Sequence, residues 1–211
     1  MARLVNGILG GFSGKVGTVV GVIIDENCFI RGLPRKRTKF TANELENQKK
    51  LATVQAYLDP LIDLLKVGFN NYYTKTGGFR AAVSYFRKNA LVSDDAGHYI
   101  DPALAKISGG DLLQAINPSM VSPEPGKLLI NWDTTDVNSQ DEADQLMVLL
   151  YDVKNSATQT KIFNGAFRRD GSLSIAVKPR IRNKELDVYI GFVAADRSSQ
   201  SDSQYLGKII V

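Results

Sequence analysis

The spacing of apolar residues changes twice along the chain. Leu51, Val54, Leu58, Leu61, Ile62, Leu65 and Phe69 fall three and four apart, which predicts one face of a helix. Thr41-Ala42-Asn43-Glu44 ahead of them reads as a capping box that opens it. Asp59-Pro60 supplies an N-cap and a first helical residue, so the helix is expected to kink or restart there. Asn70 to Tyr73 leads into Gly77-Gly78 as a loop. Phe79, Ala82, Val83, Phe86 and Ala90 then predict a second helix, with Arg80, Arg87 and Lys88 on its polar side.

From Leu112 onward the period is two. Leu128, Ile130 and Trp132 alternate, as do Leu173, Ile175 and Val177 after a turn at Asp170-Gly171. Leu146–Tyr151 is continuously apolar, Lys161-Ile162-Phe163 is a short apolar piece, and Val188–Ala195 and Tyr205–Val211 are strand-like. Six or seven short strands in about 100 residues suggest an antiparallel sandwich. Residues 91–111 are mixed, with turns at 94–97 and 109–111 and a short strand read at Ala103–Ser108. The boundary is therefore placed between 1–111 and 112–211. The fold class expected is α+β: an N-terminal glycine-rich β-hairpin and a helical pair, then a C-terminal antiparallel β-sandwich.

Within the sandwich, Trp132 is expected between the sheets. Leu186 and the run Tyr189-Ile190-Gly191-Phe192-Val193-Ala194-Ala195 resemble the penultimate strand of a fibronectin type III domain, Tyr-x-Val-x-Val-x-Ala. Gly191 departs from that pattern. Trp132 and Tyr189 are read as structural core, and the resemblance implies a binding or spacer module rather than chemistry.

The N-terminal stretch is unlike the rest. Between Asn6 and Gly32 lie Gly7, Gly10, Gly11, Gly14, Gly17, Gly21 and Gly32, seven of the chain's 18 glycines. A phosphate loop needs Gly-Lys-Ser/Thr, but Gly14-Lys15 is followed by Val16, and Leu9 stands where the first glycine belongs. A glycine-zipper helix through Gly7, Gly10, Gly14, Gly17 and Gly21 loses roughly 1 kcal/mol per glycine outside a membrane. A β-hairpin fits better. Val16–Ile24 reads as a strand, Asp25-Glu26-Asn27 as a turn and Cys28–Arg31 as the return strand, stopped by Leu33-Pro34. Gly14, Gly17, Val19, Gly21 and Ile23 then form a face open to close approach, taken as an assembly interface. Val16, Thr18, Val20, Val22 and Ile24 form the face expected to bury on the helices.

Charge adds one further candidate. Residues 1–95 carry 14 Lys/Arg against 8 Asp/Glu, while 96–211 carry 12 against 14. Arg31, Arg35, Lys36, Arg37 and Lys39 concentrate the excess, as either a solvated linker or a phosphate or nucleic-acid contact. Phe40 is the one aromatic beside them, which is thin support for base stacking.

Candidate chemistry is sparse. One cysteine, Cys28, precludes an internal disulfide, and one histidine, His98, argues against a Cys/His metal cluster. Asp94-Asp95 and Glu142/Asp144 read as solvated loop carboxylates, and His98 beside Tyr99 has no evident nucleophile. No catalytic residue, metal, cofactor or small-molecule substrate is assigned. MARLVNGILGG lacks the uninterrupted apolar run of a secretory signal, and no run is long enough for an ordinary membrane helix. The expected location is the cytoplasm, or outside the cell by lysis or a non-classical route.

NGILGGFSGKVGTVVG, the Arg31-Gly32-Leu33-Pro34 exit, the helices, Trp132 and the terminal Tyr205-Leu206-Gly207 together resemble a large uncharacterised family of Bacteroidetes-group bacteria, a domain of unknown function. In that family a Trp-Lys-Gly-like turn commonly joins the first two strands; here Asp25-Glu26-Asn27 stands instead. The resemblance implies no activity. The functional expectation is a non-enzymatic structural protein that joins copies of itself or a filament, appendage or virion through its N-terminal hairpin. The alternative is nucleic-acid binding through residues 31–39.

Overall fold

The computed structural model describes residues 3–4, 10–24, 27–35, 37–71, 77–95, 97–135, 137–139, 141–163 and 165–211. The chain is α+β and forms two compact units, residues 1–45 and residues 46–211. The boundary expected at 111/112 differs from this division. Residues 46–111 group with the C-terminal strands because they share an apolar core with them.

The first unit is a four-stranded antiparallel sheet, ordered β1 (Arg3–Leu4), β2 (Phe12–Val16), β3 (Val19–Ile24) and β4 (Asn27–Gly32). The strand predicted over Val16–Ile24 is broken. Val16 pairs with Val19, and Gly17-Thr18 turns the chain between them with Gly17 at φ 55°. Only glycine takes that conformation readily, so the chain reverses there. Among residues 10–24 the glycine-zipper helix does not form. The turn expected at Asp25-Glu26 lies outside the described residues. The capping box is present: Thr41 N donates to Glu44 Oε2 at 2.9 Å and Glu44 N donates to Thr41 Oγ1 at 3.3 Å.

The second unit begins within α1 (Ala42–Leu58). A single 3-10 turn at Asp59–Leu61, with Pro60 inside it, restarts the chain into α2 (Ile62–Gly68), where the sequence predicts a break. α3 (Gly78–Asn89) follows. Val54, Leu58, Leu61, Leu65 and Phe69 are buried, as their spacing predicts, whereas Ile62 is exposed. Gly68 is required by close packing: a Cβ there would lie 3.0 Å from the Ser108 Cα and closer still to the Ile107 carbonyl. A hairpin of β5 (Leu91–Asp94) and β6 (Gly97–Ile100) occupies the mixed region. Ala103–Ser108, expected as a strand, forms turns and irregular structure instead.

Seven further strands are β7 (Ile116–Glu124), β8 (Lys127–Asp133), β9 (Gln145–Asp152), β10 (Ala157–Lys161), β11 (Ser172–Ala176), β12 (Glu185–Val193) and β13 (Gln204–Ile210). They pair antiparallel in two sheets, β11-β8-β7 and β10-β9-β12-β13. Asp170-Gly171 precedes β11 but does not form a hairpin, since β11 pairs with the earlier β8. Leu128, Ile130, Trp132 and Ile175 of one sheet pack with Leu146, Val148, Leu150, Val188 and Ile190 of the other. This is the expected sandwich.

The larger sheet is covered on its other face as well. Met147, Leu149 and Tyr151 of β9, with Tyr189 and Val193 of β12, pack with Val54, Leu58, Leu65 and Phe86 from the helices. β9 and β12 are thus buried on both faces, which explains why Leu146–Tyr151 reads as an unbroken apolar run. Gly191, the departure from the fibronectin-like pattern, has a local cause: a Cβ there would stand 2.5 Å from Ser108 Oγ.

Candidate functional site

The N-terminal sheet buries little of its own apolar surface. Val16, Ile24, Phe29 and Ile30 are 50%, 55%, 54% and 64% exposed, and every residue of β4 is exposed. β4 is also an edge of the sheet. Leu33 N donates to Thr18 O at 2.7 Å, in register with the pairs Val19↔Gly32 to Ile24↔Asn27. In an antiparallel ladder hydrogen-bonded pairs alternate with non-bonded ones. Arg31, Phe29 and Asn27 therefore bond inward to β3. The backbone N–H and C=O of Cys28, Ile30 and Gly32 point outward.

The five residues expected to form an assembly face have different surroundings. Gly17 lies in the β2–β3 turn, and Gly14 has φ 111°, a conformation that L side chains rarely adopt. Val19 and Ile23 lie on β3 on the same face as Gly21. Gly21 is buried because Phe12 of its own chain covers it; a Cβ there would meet the Phe12 ring at 2.7 Å and its carbonyl oxygen. The close approach that Gly21 permits is thus filled by Phe12. Ile30, cross-strand from Gly21, is the exposed apolar residue beside it.

The basic candidates differ in their surroundings. Arg31 lies on β4 opposite Val20, Arg35 and Lys39 are exposed, and Lys36 lies outside the described residues. Arg37 is engaged. Its Nη1 donates to Glu44 Oε1 at 2.7 Å, and its guanidinium lies 5.8 Å from the Phe40 ring centre. The Thr41 backbone N–H and then Arg37 hold the Glu44 carboxyl below the usual range.

Trp132 and Tyr189 are buried. Trp132 donates from Nε1 to Arg168 O at 2.7 Å and meets the Phe192 ring edge-on at 6.0 Å. Tyr189 OH donates to Pro102 O at 2.9 Å, so Tyr57 is the donor in the 3.2 Å Tyr57–Tyr189 hydroxyl contact. Burial pushes both phenols up, which keeps them neutral donors. Asp144, read as a solvated loop carboxylate, is 3% exposed and paired with Arg168. Alternation along the chain gives no sign of that pair, because Arg168 is separated from Asp144 by the strands β9 and β10 and irregular chain.

One polar relay was not legible in the sequence. His98 Nδ1 lies 2.8 Å from Ser93 Oγ, its cross-strand partner, and His98 Nε2 lies 2.8 Å from Glu46 Oε1. These are the residue types of a nucleophilic triad, drawn from α1 and one hairpin. Lys50, 3.8 Å from Glu46, shares its carboxylate. A polar hollow of about 620 Å³ lies elsewhere, lined by Lys106, Gly110, Asp111, Gln200 and Asp202, and Lys106 and Asp202 pair across 2.5 Å. Among the described residues, no group of three or more His, Cys, Asp or Glu is placed to hold a metal ion, and no helix is long and apolar enough to cross a membrane.

The model of a family of unknown function, DUF6266, matches residues 11–207. No curated protein and no solved structure matches the chain.

Proposed function

The chain belongs to the DUF6266 family, a family of unknown function, and we propose that it is a non-enzymatic structural subunit. It assembles with copies of itself, or with other subunits of a filament, appendage or virion, through its N-terminal sheet. The observation that carries this reading is β4: an edge strand exposed along its whole length, with Phe29 and Ile30 more than half exposed. Such an edge is a template for strand addition. Natural sheets commonly protect edges by charge, proline or a covering element, and β4 offers one cation in six residues.

Nucleic-acid binding through Arg31, Arg35, Lys36, Arg37 and Lys39 is the weaker reading, since Arg37 is paired with Glu44 and the segment has a single aromatic neighbour.

The test is light scattering on the full chain across a concentration series, with Phe29→Asp beside it. Association above the 23.1 kDa monomer, lost in Phe29→Asp with the near-ultraviolet circular dichroism of Trp132 kept, is the expected result. A monomer at about millimolar concentration would overturn the proposal.

A further inference from the structure

Resting on that reading, we infer that the partner at β4 is a second copy of this chain, paired antiparallel about a two-fold axis through Ile30. The outward donors and acceptors of β4 belong to Cys28, Ile30 and Gly32. An antiparallel partner forms hydrogen-bonded pairs only between outward-facing residues. Two copies of one strand satisfy this best when Ile30 faces the partner's Ile30 and Cys28 faces the partner's Gly32. Every outward N–H and C=O of the three residues then finds a partner. A shift of two residues in either direction leaves outward groups at one end opposite residues beyond the described strand.

Side chains select the same register. Phe29 and Arg31 lie on one face of β4, both exposed. Pairing centred on Ile30 sets Phe29 directly against the partner's Arg31, and Arg31 against the partner's Phe29. These are non-hydrogen-bonded pairs, the closer kind, with Cα atoms roughly 4.5 Å apart. A guanidinium over an aromatic ring is favourable there. A register centred on Arg31 would oppose two guanidinium groups, and one centred on Phe29 would leave Arg31 facing Asn27. On the opposite face the two exposed Ile30 side chains meet each other. A two-fold pairing of one surface with itself is the commonest closed symmetry among soluble oligomers.

The register makes a covalent prediction. Cys28 is the chain's single cysteine and is exposed. Centred on Ile30, the two Cys28 residues stand four positions apart along the strands, roughly 13 Å, beyond the reach of a disulfide. Oxidised wild-type protein therefore stays free of inter-chain disulfide, although it is dimeric.

The experiment uses the full chain with Cys28→Ser. Phe29→Cys and Arg31→Cys are made separately on that background, mixed and oxidised gently, while light scattering on wild type reads association independently. The expected result is a dimer in which the mixed Phe29→Cys/Arg31→Cys disulfide forms at least tenfold faster than either like pair. A dimer whose fast disulfide is between two Phe29→Cys chains, or two Arg31→Cys chains, overturns the register and leaves the assembly reading standing. A monomeric wild type overturns both. Ile30→Pro guards against loss of fold as the explanation. It removes an outward N–H, which an edge strand tolerates. It should halve the mass while Trp132 keeps its near-ultraviolet signal; an Ile30→Pro protein that stays dimeric also overturns the register.

Discussion

Arg168 and Asp144 form a buried ion pair at the edge of the sandwich core. Arg168 Nη2 and Nε donate to Asp144 Oδ2 at 3.0 and 3.2 Å, and the guanidinium lies 3.9 Å from the Phe192 ring centre. Nη2 also donates to Leu113 O at 2.7 Å, and Nη1 to Gln114 O at 3.3 Å. The arginine thus ties the chain entering β7 to the loop that follows β10. Burial raises the Asp144 carboxyl and Arg168 opposes that rise.

Breaking the pair from one side should be costly. Arg168→Met leaves Asp144 buried without its counter-charge, for an expected loss of about 3–5 kcal/mol. Adding Asp144→Leu should recover much of that loss. Urea unfolding followed by Trp132 fluorescence reads both. Equal stability of the single and double variants would show that the charge on Asp144 is not the source of the loss.

Gly21→Val should disrupt the sheet itself. The added side chain meets Phe12 of the same chain, so the β2–β3 pairing must shift, with an expected loss of order 1–3 kcal/mol within the sheet. Hydrogen exchange should rise in residues 12–24 and stay unchanged in β9 and β12. The reverse pattern would place the role of Gly21 elsewhere.

Tyr189→Phe removes the hydroxyl that bonds Pro102 O and accepts from Tyr57. Two buried groups lose a partner at once, for about 1–3 kcal/mol. Tyr57→Phe removes one donor and should cost less. The order of the two midpoints in chemical denaturation is the check, and a reversed order would refute the donor assignment.

Asp187 sets a pH dependence. Burial raises its carboxyl, and the Tyr205 hydroxyl at 2.6 Å and the Lys208 charge only partly counter this. A raised folded-state value means the proton is held more tightly in the folded protein. The stabilising contribution is complete below the unfolded-state value and is lost as pH rises through the folded one. Asp187→Asn should therefore gain stability relative to wild type between acid and neutral pH, with the difference vanishing near pH ~3, below the ordinary aspartate value. A difference that grows towards acid pH would have the wrong sign.

The relay Glu46–His98–Ser93 gives the non-enzymatic proposal its sharpest challenge. If its role is to fasten α1 to the β5–β6 hairpin, a fluorophosphonate probe leaves Ser93 unmodified, and Ser93→Ala lowers stability by about 1 kcal/mol or less. Stoichiometric labelling at Ser93 would count against a purely structural protein.

The sequence makes legible those features that repeat with a period. The spacing from Leu51 to Phe69 and the alternation through Leu128, Ile130 and Trp132 report burial directly, because a helix or strand presents one face to the core. The Thr41–Glu44 box and the restart at Pro60 rest on local chemistry and are equally readable. What is not readable depends on distant chain. Asp144 looks like a loop carboxylate until Arg168 arrives from 24 residues away, and Gly21 looks open until Phe12 folds over it. The β2–β3 turn at Gly17-Thr18 is hidden because the β-branched residues on either side continue without a polar break.

The strands β9 and β12, clad by the smaller sheet on one side and by helices on the other, bear on how this protein changes over generations. A fibronectin-like unit open on its outer face can be cut out of one gene and pasted into another. Here that outer face is lined by Met147, Leu149, Tyr151 and Tyr189, each at most 1% exposed. A fragment starting at residue 112 would carry those side chains bare into water and would be expected to clump. Genetic exchange that preserves this core is therefore expected to carry the helices and the strands together.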